Sequence, residues 1–145
     1  AMRWKPTKDK QLIRVATADG VIELFDAKSK SARQTTKEVD KQNNNKPNQT
    51  LAIDYAVAGP PTWVSGGQDR VVRVYDEQRK EPKLELRGSR AGVQGHSNRI
   101  CAVRVSPDKP SVVASAGLEA ALAQAGTVAG ACATDGLDVG SCRLH

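Results

Sequence analysis

The sequence predicts an all-β chain of small antiparallel meanders stacked side by side. Three observations predict it: an internal repeat at an offset of 50, alternation of apolar and polar residues in the repeated segments, and Gly and Asp at the turns between them. Ala18-Asp19-Gly20-Val21-Ile22-Glu23-Leu24-Phe25-Asp26 superposes on Gln68-Asp69-Arg70-Val71-Val72-Arg73-Val74-Tyr75-Asp76, so turn, strand, aromatic and terminal Asp coincide. The same offset lays Leu51-Ala52-Ile53-Asp54-Tyr55 over Cys101-Ala102-Val103-Arg104-Val105. It also lays Ser65-Gly66-Gly67-Gln68-Asp69 over Ser115-Ala116-Gly117-Leu118-Glu119, which spaces Asp19, Asp69 and Glu119 evenly.

Each unit reads as strands. Ile22 and Leu24 alternate with Glu23, and Val72 and Val74 with Arg73, the pattern of a strand with one buried face. Gly and Asp at the turns supply the positive φ and side-chain-to-backbone bonds that tight hairpins need. A lone meander cannot bury its own apolar face, so repetition at this period implies a propeller or an array. Between the first two units, Ala27 to Thr50 holds Asn43-Asn44-Asn45 and few apolar residues, and is expected to run as a mobile excursion outside the units. Gln78 to Gly95 is expected to hold a strand around Leu84 and Leu86, then a loop with Gly88, Gly92 and Gly95.

The third unit breaks its pattern at Glu119. Ala120-Ala121-Leu122-Ala123-Gln124-Ala125-Gly126 follows in place of a strand, and Glu119 to His145 has seven Ala, four Gly and no Lys. A short helix is predicted over Glu119 to Ala125, with Gly126 at its C′ position. The organisation is therefore a repeat region over 1–118, with partial units at about 1–40, 48–88 and 95–118, and a divergent Ala/Gly-rich tail over 119–145. The tail fits a genuine divergent end or a reading frame that leaves the repeat part-way, and composition favours the second.

Ser65-Gly66-Gly67-Gln68-Asp69-Arg70-Val71-Val72-Arg73-Val74-Tyr75-Asp76 resembles the b-turn-c half of a WD40 repeat, with Tyr75-Asp76 in place of Trp-Asp. Gly95-His96-Ser97-Asn98-Arg99-Ile100 resembles the Gly-His that opens the next repeat. Val105-Ser106-Pro107-Asp108 resembles the turn after its first strand, and Met2-Arg3-Trp4-Lys5-Pro6 the same turn in the first unit. The resemblance covers most of the chain up to Glu119 and implies a partial WD40-type β-propeller. In that family a turn Asp, a His before strand a, a Ser or Thr on strand b and a strand-c Trp form a hydrogen-bonded structural cluster. Carried over by position, Ser65, Asp69 and Tyr75 fill three of those places in the second unit. His96 and Ser115 stand in the third, with Glu119 in place of Asp, while Asp19, Asp26 and Asp76 hold the phased turn and strand-end places. Pro47-Asn48-Gln49 stands where a Gly-His would precede the second unit, so its cluster is expected to lack an imidazole.

Composition narrows the function. Apolar residues make up 39% of 145 and aromatics 3%, so this globular chain must build its core largely from Val, Ile, Leu and Ala. The net charge of +6 is uneven: eleven basic against six acidic residues in the first fifty, eight against six in the next, three against four thereafter. Six basic and two acidic residues fall between Ala27 and Gln49, among Ser, Thr, Gln and Asn and with no aromatic to stack on a base, so that stretch reads as a solvated loop. A nucleic-acid-associated subunit working through the basic loop 28–46 is the alternative reading. No run of 18 apolar residues predicts a membrane span, and the early basic residues precede no apolar h-region. Three cysteines cannot all pair internally, which points to a reducing interior, cytoplasmic or nuclear.

Candidate chemistry gives way to structural readings. Cys101 and His96 lie five residues apart, but Ile100, Ala102, Val103 and Val105 make Cys101 look like a small buried strand residue. Cys132, Cys142 and His145 lack the paired Cys-x-x-Cys knuckle of a zinc module, and no Gly-Lys-Ser/Thr follows Gly66-Gly67. Asp54, Asp69 and Asp76 each sit at a place the repeat already explains. The expectation is a non-catalytic scaffold that binds other proteins, within a multiprotein complex and with no cofactor or metal. A propeller closes with about 4 to 8 blades, so a chain of fewer than three is expected to be only marginally stable alone.

Overall fold

A computed structural model of the chain describes residues 1–7, 11–59, 61–87 and 96–117. Those residues are all β, with no helix among them. β1 (Met2–Trp4), β2 (Leu12–Ala16), β3 (Val21–Asp26) and β4 (Ser31–Lys37) form one antiparallel meander in sequence order. A short hairpin, β5 (Val39–Asp40) with β6 (Lys46–Pro47), leads to the second meander. Its strands are β7 (Thr50–Tyr55), β8 (Thr62–Gly67), β9 (Val72–Asp76) and β10 (Leu84–Leu86). β11 (Ile100–Val105) and β12 (Val113–Gly117) form the third unit's hairpin. The architecture is a partial β-propeller of antiparallel meander blades.

The offset of 50 reaches into fine detail. The β7–β8 ladder shifts register between Thr50 and Ala52, and the β11–β12 ladder between Ile100 and Ala102. Gly20 and Arg70 share one turn position, and both take a left-handed backbone, with φ of 78° and 65°. A Cβ on Gly20 would stand 2.6 Å from the Glu38 carbonyl oxygen, so glycine is demanded there by space as well as by φ. Arg70 adopts the same conformation at a steric cost that an L-residue bears poorly.

Period-2 alternation puts opposite faces of the second sheet against different neighbours. Ile53, Tyr55, Trp63 and Tyr75 pack with Ala16 and Ile22 of the first sheet. Ala52, Ala56, Val64 and Val72 pack with Ile100, Val103, Val105 and Val113 of the third unit. Gly66 lets that second interface close, since a Cβ there would lie 2.7 Å from Ile100 Cγ2. Each fully buried Val, Ile or aromatic contributes about 1.5–3 kcal/mol, and the walls that bury it belong to two different units. Stability therefore lives between units rather than inside them.

Two sequence expectations need correction. Ala27 to Thr50 is not an excursion: Ser31–Lys37 completes the first sheet as β4, and Glu38, Asn48 and Thr50 are buried. β4 is an end strand with mostly exposed side chains, so nothing forces the alternation that would reveal it. Cys101 is exposed, because the register shift beside it turns its side chain outward. The predicted helix over Glu119 to Ala125 and the glycines at 88, 92 and 95 lie outside the described residues.

Candidate functional site

The most elaborate side-chain constellation sits where the chain leaves the first sheet for the second. Glu38 follows β4, its N–H donating to the Gly20 carbonyl at 2.8 Å and its carbonyl accepting from the Asn48 N–H at 3.0 Å. So fixed, its side chain enters the second sheet and is fully buried. Oε1 accepts from the hydroxyls of Ser65 and Tyr75, the latter at 2.7 Å. Oε2 accepts from Asn48 Nδ2 at 3.0 Å and Thr50 Oγ1 at 2.8 Å, with Arg73 Nη1 at 3.7 Å. Asn48 Oδ1 in turn accepts from the Asp69 N–H at 3.1 Å, and the Asp69 carboxylate takes Arg73 Nη2 and the Val71 N–H.

The positions singled out in the second unit, Ser65, Asp69 and Tyr75, thus belong to one buried network, and a carboxylate occupies its centre in the absence of an imidazole. Tyr75 stacks on Trp63 with ring centres 3.9 Å apart. Burial, then the adjacent Glu38 carboxylate, pushes the Tyr75 hydroxyl far above its ordinary range. Burial would pull Arg73 down, but its bond to Asp69 and the Glu38 carboxylate outweigh this and hold it charged. Glu38 already holds four donors, so neither lone-pair set is left to act as a base on an outside molecule.

The other positions separate. His96 Nε2 and Ser115 Oγ meet at 2.7 Å in the third unit, while Glu119 lies outside the described residues. Asp19 sits in an exposed turn, where the Thr17 hydroxyl bonds it and lowers its carboxyl. Asp26 accepts from Arg33 at 2.6 Å and from the N–H groups of Lys28 and Ser29, the Arg33 bond chiefly lowering its carboxyl. Asp76 accepts from the Gln78 N–H at 3.0 Å. Asp26 and Asp76 therefore secure the turns that follow their strands and stand apart from the buried network.

Arg14 and Asp54 anchor ionic links between the units, beside the Lys5–Glu77 pair at 2.7 Å, and sequence reading missed them. Arg14 of β2 is fully buried and lies 4.0 Å from the Trp63 ring centre. It donates to Tyr55 Oη at 2.8 Å, Glu77 Oε1 at 3.0 Å and Gln34 Oε1 at 3.2 Å. Asp54, on β7, spans three units: Oδ1 meets Arg3 Nε at 3.1 Å and Arg104 Nη1 at 3.6 Å, and Oδ2 accepts from the Val105 N–H at 2.9 Å. An Arg inside an alternating strand carried no functional signal by itself. Its partner on another sheet, 41 or more residues away, is what gives it one.

In the basic stretch 28–46, Arg33 pairs with Asp26 and Lys41 with Glu85 at 3.2 Å. Bonds from Arg87 and Lys41 lower the Glu85 carboxyl against the opposing pull of partial burial. Among the described residues no three His, Cys, Asp or Glu gather to hold a metal. Cys132, Cys142 and His145 lie outside them. No helix among the described residues is long and apolar enough to cross a membrane.

Comparison with known proteins places the fold. No family model and no curated protein matches the chain. Among solved structures, the chain is similar to the β-propeller domain of Myceliophteria thermophila Cps50 (Swd1), at 13% identity and a TM-score of 0.62. The similarity covers 81% of this chain and 32% of that one, so the chain spans about a third of the propeller it matches.

Proposed function

We propose that this chain is a non-catalytic protein-interaction scaffold, a WD40-type repeat region over 1–118 whose rims and loops dock other proteins. The observation that supports it is the inward use of the polar constellations. Glu38, Ser65, Asp69, Arg73 and Tyr75 bond to one another, and Arg14, Glu77 and Tyr55 tie two units together. Such networks hold blades rigid and leave recognition to the surface. The propeller likeness supports an interaction module in kind. Three cysteines, with Cys101 exposed and free, favour a reducing compartment, cytoplasmic or nuclear.

The test is capture followed by reconstitution. The chain is cross-linked in cell extract, and each recovered protein is purified and titrated against it by calorimetry. At least one should rebind with a dissociation constant of about 1 μM or tighter. If no recovered protein rebinds in pure form, the scaffold reading is wrong.

A further inference from the structure

We propose that the cleft between β1 and the β7–β8 loop receives an extended acidic peptide segment of a partner protein. One carboxylate sits on Arg3, and a neighbouring large apolar side chain sits among Met2, Trp4 and Val57. The proposal rests on the scaffold reading and names the partner's chemistry.

Four large apolar side chains are exposed among the described residues, at 68% for Met2, 61% for Trp4, 73% for Val57 and 44% for Leu84. Three of the four line a single cleft of about 300 Å³, with Arg3, Asp54 and Tyr55 beside them. A solvent-facing cluster of that kind, next to an ion pair, has the mixed character of a peptide-docking site.

Charge decides which peptide. Arg3 and Arg104 are 36% and 63% exposed, and they share one carboxylate, Asp54. Asp54 Oδ2 is already taken by the Val105 N–H. Arg3 engages Asp54 through Nε alone, so its two Nη groups have no hydrogen-bond partner among the described residues. Two guanidinium groups against one carboxylate leave a positive excess. Paired Nη donors suit a carboxylate in bidentate geometry. Lys5 does not add to the excess, since Glu77 holds it at 2.7 Å.

The backbone favours an extended ligand. β1 ends its sheet. The Ala16 N–H donates to the Ala1 carbonyl and the Lys5 N–H to the Leu12 carbonyl. Antiparallel alternation then leaves the main-chain groups of Met2 and Trp4 facing away from β2, open to an added strand.

The experiment uses the full chain and fluorescein-labelled heptapeptides, with Asp or Asn at the centre and Leu, Phe or Gly on either side. Peptides with Asp beside Leu or Phe should bind at least about tenfold tighter than their Asn or Gly counterparts. Arg3→Gln should bring the Asp peptides down to the Asn level. Val57→Glu, in an exposed loop where it cannot disturb the core, should weaken them as well. Equal binding of Asp and Asn peptides overturns the proposal, and so does affinity unchanged in both variants. Peptide binding that survives both substitutions places the docking surface elsewhere and leaves the scaffold reading standing. A silent array overturns the cleft alone, because the scaffold reading is decided separately by reconstitution with captured proteins.

Discussion

Replacing Glu38 removes the acceptor on which four buried donors converge. In Glu38→Ala the hydroxyls of Ser65, Tyr75 and Thr50 and the amide of Asn48 lose their partner together. An unsatisfied buried donor costs about 1–3 kcal/mol, so four independent losses would total about 4–12 kcal/mol. The donors share one network and the vacated space can admit water, so the sum is an upper bound and a loss of at least about 4 kcal/mol is expected. That rivals the whole stability of a small domain, about 5–15 kcal/mol, and the variant should be largely unfolded at 25 °C. Glu38→Gln is the measurable companion. It keeps the volume but turns one acceptor oxygen into a donor amide, facing either Ser65 and Tyr75 or Asn48 and Thr50. It also withdraws the charge 3.7 Å from Arg73. A loss of about 2–4 kcal/mol should follow. Urea unfolding followed by tryptophan fluorescence reports it well, because Trp63 is buried beside the network while Trp4 is exposed in both states. A Glu38→Gln loss below about 1 kcal/mol would refute the reasoning, since it would mean the four donors find other partners.

Arg14→Ala should destabilise by about 3–5 kcal/mol, leaving Glu77 short of one partner and Trp63 without its cation, and differential scanning calorimetry will read it. Gly66→Ala should cost about 1–3 kcal/mol by forcing Ile100 and Val103 back from the new methyl, as urea midpoints will report. Arg70→Gly should raise stability by about 0.5–1 kcal/mol, since it relieves a left-handed arginine and gives up only a 3.3 Å surface bond to Gln42. The chain's two tyrosines, Tyr55 and Tyr75, are both buried with hydroxyls pushed above the ordinary 10.0. Above that value only the unfolded chain releases these protons, so this contribution is complete below pH 10 and declines as pH rises, by up to about 1.4 kcal/mol per pH unit for each tyrosine. Tyrosinate absorbance should therefore stay absent past pH 10 and appear only with cooperative unfolding. A gradual titration in the folded chain would contradict the burial.

The fold was legible wherever a residue's role repeats after 50 positions. Turn, strand and register shift recur at that spacing, so β3, β9 and the positions of Ser65, Asp69 and Tyr75 could be read from the residues alone. Glu38 has no counterpart one unit away, where Gly88 stands, and it sits in a polar stretch without alternation. Asn48 is matched in sequence by Asn98, but Asn98 is exposed, so the repeat does not reveal the buried role. Only the folded chain brings Glu38 to Ser65, 27 residues later, and no local signal carries such a contact. Arg14 shows the same limit, since a cation inside an apolar strand reads as a solvent-facing residue until the ring above it and the carboxylate beside it are seen.

The two faces of the second sheet give the molecule seams of opposite temper. Toward the third unit the seam is chiefly aliphatic, built from Ala, Val and Ile, with the Asp54 carboxylate at its rim. Toward the first it is aromatic and ionic, with Arg14 wedged against Trp63 and bonded to Tyr55 and Glu77. Aliphatic adhesion fades on chilling and strengthens in sulfate, whereas enclosed ion pairs answer little to either. In the cold the third hairpin is thus the first part to peel away, and the first two blades stay clasped.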